Sequence, residues 1–193
     1  IVAWVKLPPG RKKPQWHTLP HELSKEKVWL RYVKADEFLS LRFGDQTNYL
    51  VLDIDAGSSY HPHHPEYGCD GLWQVQSALS LIGLNYPVGV WSSVSDGVHL
   101  YYFLSEQISS DLLALTVSCW LHHRKFTLKN SILELRPNVR SSKDALFQGH
   151  RLPMQHGSSL LDVGSTKLEN FLAEADFSAA KNDLAQLKRA AAW

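Results

Sequence analysis

The chain has 193 residues, enough for one α/β domain or for two small lobes sharing a cleft. Apolar residues are 44% and charged residues 20%, an ordinary globular composition, and no apolar run is long enough for a membrane-spanning helix. Cys69 and Cys119 are too few for a disulfide framework, so a cytoplasmic setting without membrane contact is expected. The formal net charge of +1 conceals a pattern. Residues 1–34 carry eight Lys/Arg against two acids, residues 35–123 ten acids against Arg42, and residues 124–151 seven Lys/Arg against Glu134 and Asp144. An acidic middle between basic flanks suits a site for metal and polyphosphate, and it is equally what chance clustering on solvated faces gives. The chain starts at Ile1 and its only methionine is Met154, as expected of a piece of a longer protein.

In chain order, Ile1–Val5 reads as a strand, and the Leu7–Pro14 loop offers Arg11-Lys12-Lys13 as a phosphate contact or a solvated run. Trp29, Tyr32 and Val33 fit a second strand or a helix start, and Ala35–Phe43 a short helix closed by Gly44. Leu50, Val51, Leu52 and Ile54 have the length and character of a buried strand. A turn-rich loop from Ala56 follows, then a helix over Leu72–Ile82 ended by Gly83. Val88–Ser93 and Val98–Leu104 read as strands joined by Ser95-Asp96-Gly97, a strong hairpin signal. His99, Tyr101 and Phe103 then share one face of the second strand, and Val98, Leu100 and Tyr102 the other. Ser109–His123 is a helix capped by Ser109 or Ser110, Ile132–Leu135 a short strand, and Thr166–Ala175 and Ser178–Ala192 two closing helices, the first with Ser165 as cap.

The chemistry gathers at the end of the Leu50–Ile54 strand. Asp53 and Asp55 are two residues apart, so both side chains leave a strand on the same face. Carboxylates that close repel unless a cation lies between them, and a divalent metal is the usual solution. An acidic loop at a strand end is the plainer alternative. Glu134, between Leu133 and Leu135, faces opposite to them and could meet the aspartates across a sheet, or pair with Arg136. Three such carboxylates make an oxygen site for Mg²⁺ or Mn²⁺. His99 is either a satisfied strand histidine or a proton-transfer or phosphate-binding group. Arg151, in Gly149-His-Arg-Leu-Pro153, is a guanidinium suited to phosphate or a surface arginine. His61, His63, His64 and Cys69 raise a structural Zn²⁺ site, made awkward by the extended Pro62 and Pro65.

Taken in order, these segments resemble the archaeo-eukaryotic primase superfamily, the primase-polymerases of plasmid and phage replication. Leu50-Val-Leu-Asp-Ile-Asp55 resembles its first motif, and Ser95-Asp-Gly-Val-His-Leu-Tyr-Tyr its histidine motif. Ile132-Leu-Glu-Leu-Arg-Pro-Asn138 is similar to its third, in a Glu-x-x-Pro form, and Gly149–Pro153 to its arginine-leucine-proline segment. The resemblance spans about residues 45–162. It implies an α+β fold with an RRM-like antiparallel catalytic module (45–162), a smaller N-terminal α/β lobe (1–44) and a C-terminal helical segment (163–193). It implies DNA primase or polymerase activity, with nucleoside triphosphates joined on a single-stranded DNA template. Asp53, Asp55 and Glu134 would hold two Mg²⁺ or Mn²⁺ ions. His99 and Arg151 would contact the triphosphate, with Arg140 or Lys143 assisting. Gly97 stands where many members have serine, leaving Ser95 or a turn N–H for that phosphate contact. Tyr101 and Tyr102 are candidates for sensing the sugar. No helicase or P-loop motif is present, so unwinding would fall to a partner or to the rest of the full-length chain.

Two other readings compete. His61-Pro62-His63 imitates the paired histidines of a rolling-circle nicking endonuclease, although proline between them removes a strand donor. Seven Trp and seven Tyr would also serve a non-catalytic single-stranded nucleic-acid-binding domain.

Overall fold

The computed structural model describes residues 2–6, 17–19, 23–34, 37–92 and 96–192. Arg11-Lys12-Lys13 and Ser95 lie outside the described residues. The organising element is β4 (Gln46–Ile54), whose alternate residues belong to two different cores. Leu50, Leu52 and Ile54 face one way, into a cluster completed by α2 (Asp70–Ser80) and α3 (Ser110–His123). Val51 faces the other way, with Phe43, Phe147, Met154 and Phe171. A strand buried on both faces reads as a continuous apolar run, which is why this one is visible in the sequence.

β4 sits inside a five-stranded antiparallel sheet of order β7-β4-β6-β5-β9. Its partners are β5 (Val88–Trp91), β6 (Val98–Ser109), β7 (Leu133–Arg136) and β9 (Ser159–Leu160). β5 and β6 pair antiparallel, with Trp91 opposite Val98. Asp96 takes φ 60°, and the Ser92 N–H donates to the Gly97 carbonyl at 2.7 Å. A Cβ at position 97 would come within 2.9 Å of Ser92 Oγ, which would have to rotate away. Ser109 caps α3, its hydroxyl accepting from the Leu112 N–H at 3.4 Å.

A second antiparallel sheet, order β2-β1-β3-β8, joins β1 (Val2–Lys6), β2 (His17–Thr18), β3 (Glu37–Arg42) and β8 (Gly149–Arg151). The helix expected over Ala35–Phe43 is in fact this strand β3. Its residues pair on one side with β1 and on the other with β8, and such long-range pairing overrides a weak local helical spacing. The helix lies earlier, at α1 (Lys25–Lys34). β8 brings a segment distant in sequence onto the N-terminal sheet, with Leu41 opposite His150 and Ser40 opposite Arg151.

The closing helices are also redrawn. α4 (Leu168–Lys181) runs through Ser178, the residue expected to start the next helix, because Ser178 is buried and its hydroxyl donates to the Tyr86 carbonyl. The break comes at Asn182, whose side chain accepts from the Asn85 and Tyr86 N–H groups. Asp183 then caps α5 (Leu184–Ala190) through the Gln186 N–H at 2.9 Å. Ser165 accepts from the Lys167 N–H and the Asn170 amide, one step outside the helix start. The architecture is mixed α+β, with antiparallel sheets and flanking helices. Among the described residues no helix is long and apolar enough to cross a membrane.

Gln155 locks β3 in place. Its buried amide accepts from the Leu39 N–H at 2.6 Å and donates to the Leu39 carbonyl at 2.9 Å. Gln155→Ala leaves the Leu39 N–H without that partner, and a destabilisation of about 2 kcal/mol is expected in urea unfolding.

Candidate active site

The two ladders of β4 place the carboxylates. Asp53 pairs with Glu134 of β7 on one side and with His99 of β6 on the other. Glu134, Asp53 and His99 therefore form one row across three adjacent strands, on the face opposite the Leu50–Ile54 core. Asp55 follows two residues beyond, just past the strand end. Asp53, Asp55, Glu134 and His99, all expected on one face, are thus brought together.

The row is electrostatically crowded and carries its own counter-charges. His99 Nε2 lies 3.3 Å from Asp53 Oδ1. Arg136, two residues after Glu134 and so on the same strand face, places Nη2 2.5 Å from Glu134 Oε2. Burial alone raises Asp53, but the His99 hydrogen bond and the charges of His99 and Arg136 outweigh it and hold the carboxyl below its ordinary value. Asp55 moves the other way: burial and then the negative charges of Asp53 and Glu134 raise it.

Oxygen donors clustered with an excess of negative charge are of the type that suits a hard divalent cation. As the side chains stand, however, no three His, Cys, Asp or Glu groups among the described residues converge to hold an ion. Glu134 is turned onto Arg136, and Asp53 onto His99.

Beneath the row, two tyrosines tie the sheets together. Tyr101 Oη lies 3.4 Å from His99 Nδ1 and donates to the Arg151 carbonyl at 3.2 Å. The Tyr49 hydroxyl and His150 Nε2 share a hydrogen bond of 3.0 Å. The β8 strand that carries Arg151 is thereby held against the row. The Arg151 guanidinium lies 3.7 Å above the Phe38 ring and donates to the His156 carbonyl, while its buried Nε has no partner among the described residues. Burial lowers its pKa to about 10, so it remains charged at neutral pH. Burial, reinforced by the charges of His99 and Arg136, lowers His150 to about 3, which keeps that ring neutral.

Other expected residues fall elsewhere. Arg140 forks onto Asp111, donates to the Lys143 and Ala145 carbonyls, and stacks over Phe147. Asp111 starts α3 beside the Gln46 end of β4, and Asp53 lies seven residues further along that strand, roughly 23 Å away. Arg140 is therefore not brought to the row. Lys143 is exposed in the same loop. Tyr101 and Tyr102 are both fully buried, so neither ring lines an open surface where a sugar could rest.

The histidine loop serves local structure. His61 is buried, its Nε2–H donating to the Asp96 carbonyl at 2.6 Å and its Nδ1 accepting from the His63 N–H. His64 Nδ1 accepts from the Glu66 and Tyr67 N–H groups, and Cys69 Sγ lies 3.6 Å from the Pro62 carbonyl. These ring nitrogens shape turns, and the loop leaves His61 and His63 off any strand. Its effect on the row is indirect, since His61 holds the turn that precedes His99.

Two residues matter more to the site than the sequence alone suggests. Arg136 reads there only as a salt-bridge partner, although its spacing from Glu134 already places it on the same face. His150 carries no signal beyond its position next to Arg151, because its site depends on the β3–β8 pairing.

No family model and no curated protein matches this chain. Among solved structures it is similar to the AEP domain of the cyanophage S-2L primase-polymerase (PrimPol), at 11% identity and a TM-score of 0.37, over 90% of this chain and 88% of that one. The likeness is distant, and the functional reading is carried by the residues of the site.

The opposed shifts of the two aspartates have a measurable consequence. A carboxyl whose folded pKa is raised favours the folded state at low pH and penalises it once pH rises through that pKa. Asp55→Asn is therefore expected to stabilise the ion-free protein at pH 7, by about 0.5 kcal/mol given the solvent screening at Asp55. The gain should disappear as pH falls through the carboxylate range, followed by urea unfolding at stepped pH.

Proposed function

We propose that this chain is the catalytic module of a template-directed nucleotidyl transferase, a DNA primase or polymerase joining nucleoside triphosphates on single-stranded DNA. The observation that carries this reading is the Glu134–Asp53–His99 row across β7, β4 and β6, with Asp55 beyond it. The element order β4-α2-β5-β6-α3-β7, laid out in space as β7-β4-β6-β5, supports an RRM-like module over residues 45–162. In this reading residues 1–44 form the smaller lobe and 163–193 the helical end.

Asp53, Asp55 and Glu134 would hold Mg²⁺ or Mn²⁺, with Glu134 exchanging Arg136 for the ion. When bound, such ions acidify the attacking 3′-hydroxyl and neutralise the pyrophosphate leaving group. The chain's own groups do the rest. His99 keeps Asp53 ionised and oriented through Nε2, and would turn that same donor to a triphosphate oxygen. Arg151 offers a half-buried guanidinium whose Nε has no partner among the described residues, a donor type suited to phosphate. Arg136, once free of Glu134, supplies a second permanent positive charge beside the leaving group. Gly97 lets the hairpin turn approach closely. Replication of a plasmid or other mobile element is the setting this activity fits, with unwinding supplied elsewhere.

The test is nucleotide incorporation on a single-stranded template with Mg²⁺ or Mn²⁺, with and without a primer, wild type beside Asp53→Ala. Primer-independent synthesis is expected, falling at least 100-fold in the variant, which loses a group on which the reacting centre depends. Absence of incorporation under every condition, with oligonucleotide binding intact, would overturn the catalytic reading.

A further inference from the structure

A polar cleft of about 280 Å³ runs along the outer edge of β7 and ends on Glu134 and Arg136. We infer that this cleft holds the sugar–phosphate backbone of the single strand presented to the carboxylate row, an assignment that rests on the nucleotidyl transferase reading and locates its polynucleotide.

The walls are built from three elements. Ser118 and His122, one helical turn apart on α3, form one side, and Lys129 and Asn130, both exposed, lie on the loop between α3 and β7. Those four side chains make no hydrogen bond within the described residues, so their donors are free for a ligand. Glu134 is the acid in the cleft and is neutralised by Arg136, leaving Lys129 as uncompensated positive charge. Cationic and hydrogen-bonding groups along a narrow track match a phosphodiester backbone.

The edge of β7 is poorly suited to the other obvious occupant, an added peptide strand. Such a strand needs free backbone acceptors, but the Leu133 carbonyl already accepts from the Lys129 N–H at 3.0 Å. The Leu135 carbonyl accepts from the Arg136 guanidinium at 3.3 Å. A short stretch of extended chain crossing the edge fits it better. One end of the cleft is the row itself, so a strand lying there delivers its terminus or its template base to Asp53.

The test is fluorescence anisotropy of a labelled single-stranded oligonucleotide against wild type, Lys129→Gln, Lys129→Glu and, as control, Lys167→Glu. Lys167 precedes α4 beside β9, at the opposite edge of the five-stranded sheet. At 50 mM salt Lys129→Glu is expected to bind roughly tenfold more weakly, and Lys129→Gln to fall between it and wild type. The slope of log affinity against log salt should flatten by about 0.7 for each phosphate that the variant no longer neutralises. Lys167→Glu should match wild type. Tight binding by wild type with no change in either Lys129 variant would overturn the cleft and leave the enzymatic reading standing. No binding by wild type would overturn both.

Discussion

A one-residue slip of β4 against either neighbour would turn Asp53 into the helical core and Leu52 onto the site face. The register is therefore the constraint on which the site depends. It is fixed by burial on both faces: Leu50, Val51, Leu52 and Ile54 are all fully buried, and each such side chain contributes about 1.5–3 kcal/mol through its removal from water. No alternative register of β4 could keep both clusters filled. The same alternation that fills the two cores leaves Asp53 at the rim with Glu134 on one side and His99 on the other. Packing energy spent in the strand body thus holds a like-charge pair together at its end.

That charge is tolerated because its counter-ions arise from the same periodicity. Arg136 stands two residues from Glu134 and therefore shares its face, while His99 occupies the position opposite Asp53 on β6. Neither neutralises Asp55, whose carboxyl is left raised by its neighbours. The folded protein consequently holds an unbalanced negative charge at one point and a balanced one beside it. A cation binding there would relieve Asp55 first and would compete with Arg136 for Glu134.

How much of this is legible in the sequence divides along one line. Features fixed by local alternation are readable: the β4 run with its two aspartates, the Asp-Gly hairpin, the common face of His99 and Tyr101, and the Ser109 cap. Features fixed by partners distant in sequence are not. Glu37–Arg42 reads as a helix until β1 and β8 are laid against it, and β8 itself is three residues long with no strand signal of its own. Arg140 resembles a phosphate ligand because its partner Asp111 lies 29 residues away. Ser178 resembles a helix start because the carbonyl that accepts its hydroxyl belongs to Tyr86, 92 residues earlier. In each case a polar side chain is read by type when its role is decided by what folds against it.

The second sheet then acquires a purpose beyond covering the first. Its strand β8 is held at two points by tyrosines from the site-bearing sheet, Tyr49 to the His150 ring and Tyr101 to the Arg151 backbone. Burial keeps the His150 ring neutral down to a pH of about 3, well below the range in which an exposed histidine would charge. The Tyr101 contact reaches His99 directly, so one hydroxyl touches both the strand of Arg151 and the imidazole beside Asp53. Arg151 is consequently positioned from the carboxylate row itself, through a fully buried ring that has little freedom to move. The Arg151 guanidinium itself is half-buried, lies over the Phe38 ring and donates to the His156 carbonyl, so its direction is set by β3 and by the loop that follows β8.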